Sequence, residues 1–240
     1  MNTMPSPSQI EESRIREAYR KRQDTTLYSC FNPAQLFFIQ GREREILGLL
    51  RKKGIESLAE KRILEVGCGT GHWIRQFINW GARPQNITGV DLLSDRVAEA
   101  KQLCPDSVRI ECGSAACLGF ADAAFDLVLQ STVFSSVLDP SMKRQIAAEM
   151  LRVVKGDGLI LWYDFHVNNP RNPDVRGVKK QEIFQLFPSC QIEIRRITLA
   201  PPFVRLVVRH SWLACYLLER LKIFNTHYLC IIQKSVPVSG

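Results

Sequence analysis

Three glycines on alternate positions, directly after a short apolar run, constrain this chain more than any other feature. The run ILEV covers residues 63–66, and the glycines that follow are Gly67, Gly69 and Gly71. An apolar run of this length that ends at glycines predicts a buried parallel strand followed by a tight turn. Glycine permits positive φ and lets a ligand approach the backbone, and a helix that begins at His72 would present its free N–H groups to that ligand.

An acidic residue at the end of the second predicted strand strengthens this interpretation. Asp91 ends the run ITGVD, about twenty residues beyond the glycine turn, where an acid can bind the two hydroxyls of a ribose. The sequence therefore predicts a site for a cofactor that contains a nucleoside.

Two departures from the dinucleotide-binding pattern G-x-G-x-x-G bear on the identity of that cofactor. The third glycine comes one residue early, and the first strand carries an acid, Glu65. A carboxylate beside the turn would repel a pyrophosphate, whereas it would attract a positively charged ligand. Both departures count against NAD, which remains the alternative cofactor.

The pattern E-x-G-x-G-x-G, followed by an acid at the end of the second strand, closely resembles the class I S-adenosylmethionine-dependent methyltransferases. The resemblance extends from about Lys61 to Phe165, and more loosely to Lys234. It implies an enzyme that transfers a methyl group from S-adenosyl-L-methionine. It also implies a Rossmann-like, doubly wound, mostly parallel sheet of seven strands, with the last strand antiparallel and helices on both faces.

The order of apolar runs and helical patterns predicts an α/β domain. Strand-like runs lie at residues 62–66, 87–91, 108–112, 125–130, 159–164 and 191–199, and residues 226–233 are the candidate for the final antiparallel strand that the resemblance implies. Two helical patterns, residues 10–22 and 34–53, precede the first strand. We therefore divide the chain into an N-terminal helical lid, residues 1–60, and a methyltransferase domain, residues 61–240, with a helical insertion at about residues 200–224.

The resemblance also implies which residues hold the cofactor beyond the carboxyl ends of the strands. Glu65 would orient the glycine turn or attract the ammonium through water, and Asp91 would bind the ribose. Ser114 stands where relatives carry an acid that meets the adenine amino group, and Gln130 and Ser131 should line the methionine end. The full predicted set is Glu65, Gly67, Gly69, Thr70, Gly71, Asp91, Leu92, Ser114, Ala115, Gln130 and Ser131.

Methyl transfer to a hydroxyl requires a base, and the candidates follow the fifth strand. Asp164 and His166 are two residues apart, so along an extended segment both side chains could face one side. The alternative is a structural loop with an Asx turn ahead of Pro170. After the fourth strand, the run STVFSS lacks the Asn/Asp-Pro-Pro-aromatic signature of enzymes that methylate amide or nucleobase nitrogens. This absence counts against a nucleic-acid acceptor.

Positive charge is concentrated in the C-terminal third of the chain. Residues 165–240 hold 11 Lys/Arg against 4 Asp/Glu, whereas residues 63–164 hold 9 against 12. The segment of residues 200–224 mixes aliphatic, aromatic and basic side chains, and such a segment either packs on its own domain or lies on an anionic membrane. The charge and the apolar segment together favour an acceptor with an anionic group and an apolar or sugar portion.

Other features of the sequence predict a cytoplasmic protein, with a location peripheral to the membrane as the alternative. The N-terminus lacks the apolar core of a signal peptide, and no run of roughly 18 uncharged apolar residues is present. The eight cysteines include no C-x-x-C pair and no histidine at zinc spacing, so we expect reduced thiols and no metal site.

Three functions follow from these patterns. The first is methyl transfer, at oxygen, to a small-molecule, saccharide or lipid-linked acceptor. The second is methylation of RNA or protein, which the basic C-terminal third allows. The third is a non-catalytic protein that binds S-adenosylmethionine, although the loss of the glycines or of Asp91 that such a protein would show is absent.

Overall fold

The computed structural model describes residues 6–21, 29–169 and 172–235, which contain a seven-stranded sheet. The strands are β1 (Ile63–Val66), β2 (Ile87–Asp91), β3 (Arg109–Cys112), β4 (Phe125–Ser131), β5 (Val154–Phe165), β6 (Cys190–Leu199) and β7 (Asn225–Lys234). Their spatial order is β3-β2-β1-β4-β5-β7-β6. β7 is antiparallel to both neighbours and the remaining pairs are parallel, which confirms the predicted fold class.

Helices cover both faces of the sheet. In the described residues they are α1 (Pro7–Arg20), α2 (Pro33–Lys52), α3 (His72–Asn79), α4 (Ser94–Leu103), α5 (Pro140–Val153), α6 (Lys180–Leu186), α7 (Pro201–Val207) and α8 (Trp212–Arg220). One apolar core joins the sheet to α5 and α6, and a second core joins it to α2, α3 and α4. A smaller core packs α7 and α8 against α2 and the end of β6. None of the helices that the structure describes is long and apolar enough to cross a bilayer.

The two N-terminal helices have different positions. α2 contributes the fully buried Ile46 and Leu49 to the core that also contains α3 and β1. It is therefore one of the helices that cover the sheet, and the predicted boundary at residue 60 does not separate two cores. The prediction of a lid consequently applies to α1 alone.

The predicted helical insertion consists of two helices. The sequence indicated one helical segment at about residues 200–224, whereas the structure ends α7 at Val207 and begins α8 at Trp212. In the structure the Ser211 hydroxyl accepts the Ala214 N–H at 3.1 Å and starts α8. The side chain thus caps a new helix where the preceding one has ended.

The strand directions bring the predicted site residues to one edge of the sheet. Because β6 and β5 are each antiparallel to β7, β6 runs in the same direction as β1 to β5. The carboxyl ends of these six strands therefore lie at one edge, which we call the carboxyl edge. The helix pair α7–α8 joins the end of β6 to the start of β7, so it lies at this edge as well.

Candidate functional site

The glycine turn joins β1 to α3 through left-handed backbone conformations. Gly67, Gly69 and Gly71 have φ values of 71°, 51° and 75°, which other residues rarely adopt. A Cβ at Gly67 would overlap the Val133 side chain, and a Cβ at Gly71 would lie 2.6 Å from Cys104 Sγ. At Gly69, no described atom lies within 4 Å of the position that a Cβ would take. The turn is thus tightly packed on its flanks and open in the middle, where a ligand could approach the backbone.

Glu65 precedes this turn with an almost completely buried carboxylate. One oxygen accepts the Ile74 N–H in the first turn of α3, whereas Oε2 has no hydrogen-bond partner in the part of the chain that the structure describes. Burial raises the pKa of Glu65 well above the ordinary carboxyl value, and the charge of Asp91 raises it further. An unpartnered buried carboxylate oxygen is unfavourable for the fold, and a ligand cation would offset this cost. Glu65 therefore fits the ammonium group predicted from the sequence.

Asp91 connects the glycine turn to the end of β2. Its Oδ2 accepts the Gly69 N–H at 2.7 Å, and its Oδ1 accepts the Leu93 N–H at 2.9 Å. Burial raises the pKa of Asp91, while these two hydrogen bonds act in the opposite direction. A carboxylate has roughly four lone-pair sites, so both oxygens can accept a further donor. Asp91 thus shapes the turn and stays available to the hydroxyls of a ribose.

The residues predicted for the adenine end lie beside Asp91. The Gly113 N–H donates to the Asp91 carbonyl at 2.9 Å, which holds the end of β3 against the end of β2. Ser114 Oγ accepts a backbone N–H two residues further on at 3.3 Å, so the hydroxyl keeps its proton and a lone pair. Leu92 and Ala115 are partly buried and pack against the adjacent core. The structure therefore brings these residues together at the ends of β2 and β3.

At the end of β4, one of the two predicted residues does not face the site. Gln130 has no exposed surface. Its Nε2 donates to the Tyr163 carbonyl at 3.4 Å, and its Oε1 accepts the Val133 N–H at 3.1 Å. Gln130 therefore lies in the interior and hydrogen-bonds the backbone of the loop after β4. This position is contrary to the prediction that it lines the methionine end. Ser131 is partly exposed and remains a candidate.

The backbone of Thr132 is a feature of the site that sequence patterns did not indicate. Its φ of 60° is left-handed, and such a conformation of a non-glycine residue costs of order 1–3 kcal/mol. The Thr132 N–H donates to the Tyr163 carbonyl at 2.8 Å. The Thr132 carbonyl accepts the hydroxyls of Ser135 and Ser136 at 3.3 and 3.2 Å. These bonds hold a strained residue directly after β4, next to the loop that packs on the glycine turn.

Asp164 is buried and anchors the same loop. Its Oδ2 accepts the Ser135 N–H at 3.0 Å, and its Oδ1 accepts the Phe165 N–H at 2.9 Å. Burial raises the pKa of Asp164 to about 7, although these hydrogen bonds and the charge of Lys143 oppose the shift. Since the pKa is raised in the folded state, the fold loses stability as the pH rises from the ordinary carboxyl value toward about 7. With almost no exposed surface, Asp164 supports the loop and does not take the predicted catalytic position.

His166 follows β5 at the carboxyl edge and is only partly buried. Its ring stacks on Tyr228 with centroids 4.3 Å apart, and Nε2 lies 3.0 Å from the Asn225 carbonyl. A carbonyl can only accept, so in the neutral ring Nε2 carries the proton and Nδ1 keeps a lone pair. Burial lowers the pKa of His166, which favours the neutral ring near pH 7. No hydrogen bond joins His166 to Asp164 in the described residues, so the predicted acid–base pair does not form.

α1 lies across the loops that follow β2 and β4. Arg16 Nη1 donates to the Leu92 carbonyl at 2.6 Å, and Arg14 Nη2 donates to the Ser136 carbonyl at 2.5 Å. The Glu11 carboxylate accepts two backbone N–H groups that precede α5. The lid over the cofactor stays a prediction, and these contacts give α1 a position from which it could act as one.

Comparison with known proteins finds a protein family that matches the part of the chain containing this site. The family described as "Methyltransferase domain" matches residues 63–158. An uncharacterised methyltransferase of Bacillus subtilis is 33% identical over 176 residues, which cover 65% of this chain and 66% of that protein. The 2-methyl-6-phytyl-1,4-hydroquinone methyltransferase of Synechocystis is 29% identical over 160 residues, 64% of this chain and 48% of that protein. The chain thus spans slightly less than two thirds of the first relative and about half of the second.

The fold recurs in the crystal structure of a Burkholderia thailandensis 1,6-didemethyltoxoflavin-N1-methyltransferase with bound S-adenosylhomocysteine. The TM-score is 0.61 at 16% identity, with 98% of this chain and 93% of that chain covered. A tRNA N(3)-methylcytidine methyltransferase of Schizosaccharomyces pombe is 30% identical over 129 residues, 50% of this chain and 40% of that protein. The relatives therefore do not share one acceptor, and they do not support the prediction that counted against a nucleic-acid acceptor.

Proposed function

The chain belongs to the class I S-adenosylmethionine-dependent methyltransferases, and from this we propose that it methylates a hydroxyl of a small-molecule, saccharide or lipid-linked acceptor. The predictions of the family and of its cofactor, S-adenosylmethionine, are confirmed. The proposal rests on the cofactor site. There Glu65 Oε2 has no hydrogen-bond partner among the described residues, the backbone of Gly69 is open, and the Asp91 carboxylate lies beside it. This arrangement fits a ligand with a cationic group at one end and hydroxyls at the other.

Several side chains would share the binding of the cofactor. Glu65 would hold the ammonium, Asp91 would bind the ribose hydroxyls, and Leu92 and Ser114 would contact the adenine. When bound, S-adenosylmethionine supplies an electrophilic methyl group on a positively charged sulfur. The main task of the protein is then to hold the acceptor oxygen close to that methyl group and in line with it.

Two observations support an acceptor that has an apolar portion and an anionic or sugar group. The Synechocystis relative is named for a phytyl hydroquinone, whose hydrocarbon chain is apolar. Residues 165–240 of this chain hold 11 Lys/Arg against 4 Asp/Glu and include α7 and α8 at the carboxyl edge. RNA is the second candidate acceptor, because some relatives are named as tRNA methyltransferases.

Within this proposal His166 is the general base. Its Nδ1 would take the proton of the acceptor hydroxyl as the oxygen forms its bond to carbon. The Nε2–H donates to the Asn225 carbonyl and so holds the ring in one tautomer. The lowered pKa keeps the ring neutral near pH 7, which a base requires.

The proposed acceptor can be tested by incubating the protein with methyl-labelled S-adenosylmethionine and a fractionated cell extract. We expect the label in the small-molecule, glycan or lipid fraction. Label confined to RNA or protein would replace the acceptor proposed here. Binding of the cofactor without label in any fraction would indicate a non-catalytic protein.

His166→Gln is expected to reduce turnover about 100-fold or more, the usual contribution of a general base. Glutamine can still donate to the Asn225 carbonyl, but it cannot take up a proton. In the wild type, turnover should fall as the pH drops through a pKa below the ordinary histidine value of about 6.5, since a protonated ring is no base. The variant should lose this acidic limb of the pH profile.

Asp164→Asn provides the comparison for His166→Gln. Because Asp164 anchors the loop after β4, its substitution should change the pH dependence of unfolding and preserve the acidic limb of turnover. If the limb disappears in Asp164→Asn and persists in His166→Gln, the two assignments must be exchanged.

We further propose that α1 closes over the bound cofactor. Arg16→Ala removes the hydrogen bond to the Leu92 carbonyl, directly after Asp91, and should weaken S-adenosylmethionine binding by about three- to ten-fold. Arg20→Ala is the matched control, since Arg20 lies on the same helix with 77% of its side chain exposed and pairs with Glu17. Equal cofactor affinities of the two variants in calorimetry would exclude the lid.

A further inference from the structure

The helix pair α7–α8 exposes a concentration of large apolar side chains. Of the fourteen large apolar side chains exposed in the described residues, eight lie in this region: Phe203, Leu206, Trp212, Leu213, Leu217, Leu221, Ile223 and Phe224. Leu206 is 70% exposed and Ile223 67% exposed. Apolar groups concentrated on one surface of a soluble protein mark an interaction site more often than isolated exposed residues do.

This exposure is not the result of a poorly packed helix pair. The opposite sides of both helices contribute Val204, Val208 and Cys215 to a core with Phe37 of α2 and Leu199 of β6. These side chains are buried. The helices therefore have two apolar sides, and only one of them is covered by the rest of the described chain.

The outer side of α8 has a helical apolar stripe. Leu213 and Leu217 are four residues apart and are 66% and 55% exposed, so they lie on one face of the helix. Leu221 continues the stripe at the helix end, and Arg220 borders it. Phe203 and Phe224 meet with ring centroids 5.0 Å apart and connect α7 to the residues that follow α8.

The charges beside these apolar groups have one sign. Arg205, Arg209, Arg220 and Lys222 are all exposed. The one acid in residues 200–224, Glu219, is turned inward, where it accepts the Thr198 N–H at 3.2 Å and meets Arg44 at 3.5 Å. The outer surface of α7–α8 is therefore apolar and basic, with no exposed acid.

The positive charge and the exposed apolar side chains of α7–α8 indicate which kind of partner covers them. A second copy of the chain would bring a second set of positive charges to the contact, which is unfavourable. An anionic lipid surface offers apolar acyl chains below a layer of negative headgroups, and it matches both properties. We therefore infer that α7–α8 docks the protein on membranes that contain anionic phospholipid.

The position of the helix pair gives this docking a consequence for the site. α7–α8 joins strands that end and begin at the carboxyl edge, the edge at which Asp91 and His166 also lie. Docking would place this edge near the lipid headgroups, where a lipid-linked acceptor is found. The inference does not depend on the proposed activity, because membrane binding can be measured without turnover.

The experiment is flotation of the full-length protein with phosphatidylcholine vesicles, with and without phosphatidylglycerol. We expect the protein to float with the anionic vesicles and to remain unbound with phosphatidylcholine alone. Added salt should weaken the binding, since screening reduces the attraction between exposed charges. Leu213→Ser with Leu217→Ser, and separately Arg205→Glu with Arg209→Glu, should each reduce the bound fraction by at least about ten-fold.

Matched substitutions outside the helix pair test whether the surface is specific. Arg51→Glu with Lys101→Glu makes the same change in net charge at two exposed residues and should leave binding unchanged. Equal loss in this control would show that net charge alone attracts the protein, and would overturn the inference. Absence of binding by the wild type, or a concentration-dependent dimer that Leu213→Ser abolishes, would overturn it as well.

Discussion

Asp91→Ala is expected to weaken the binding of S-adenosylmethionine by about 1–3 kcal/mol, the cost of leaving polar groups without their charged partner. The ribose hydroxyls would lose an acceptor, and so would the N–H groups of Gly69 and Leu93 that the carboxylate now holds. The glycine turn should therefore loosen in the free protein as well. Calorimetric titration with S-adenosylmethionine and with S-adenosylhomocysteine measures the effect, and both ligands should lose affinity equally because both carry the ribose.

Asp95→Ala is the control for this prediction. Asp95 is an exposed acid in the first turn of α4, so its loss changes the net charge near the site and leaves the turn intact. Unchanged cofactor affinity in Asp91→Ala would remove Asp91 from the site. Tighter binding of NAD(H) than of S-adenosylmethionine by the wild type would reject the proposed cofactor site altogether.

Glu65→Gln should have opposite effects on cofactor binding and on stability. The amide has almost the shape of the carboxylate and can still accept the Ile74 N–H, but it lacks the charge that would attract the ammonium. Affinity for S-adenosylmethionine should fall by roughly ten-fold, about 1.4 kcal/mol. The free energy of unfolding of the free protein should stay the same or increase, because the amide removes the cost of ionising a buried carboxyl group, which is what raises the Glu65 pKa.

Two further measurements make this prediction specific. S-adenosylhomocysteine keeps the ammonium but lacks the sulfonium charge, so an equal loss of affinity for both ligands assigns Glu65 to the ammonium. The pKa of Glu65 is raised by burial, so wild-type stability should decrease as the pH rises through that pKa, and Glu65→Gln should lack this decrease. Glu111→Gln, at a partly exposed acid paired with Arg109, should change neither quantity. If only the affinity for S-adenosylmethionine falls, Glu65 interacts with the sulfonium and not with the ammonium.

The cofactor half of the site follows from short stretches of sequence. A buried apolar strand, glycines that allow positive φ, and the helix after them are determined by neighbouring residues. The position of Asp91 at the end of β2 follows from the same local pattern. This is why Glu65 lies in β1, Gly69 in the turn and Asp91 at the end of β2, as the local pattern predicts, and why the direction of the first five strands could be anticipated. Their contacts with the cofactor stay a prediction.

The acceptor half depends on contacts between residues that are far apart in the chain. Asp164 and His166 have the spacing of an acid–base pair, yet Asp164 accepts a hydrogen bond from Ser135, 29 residues away. Gln130 likewise holds a carbonyl of β5, 33 residues away. A polar side chain near a strand end faces either a ligand or a neighbouring loop, depending on which backbone donors fold against it. Sequence spacing contains no information about that choice.

The same division between local and distant contacts applies to α7–α8. An apolar and basic pattern shows that a helix has an apolar face, but it does not show whether another element covers that face. Packing of α2 and the end of β6 covers the inner side and leaves the outer side exposed. The sequence by itself therefore determined the first five strands and the glycine turn, because these arise from neighbouring residues. Only the tertiary structure decided which polar and apolar side chains remain free to meet an acceptor or a membrane.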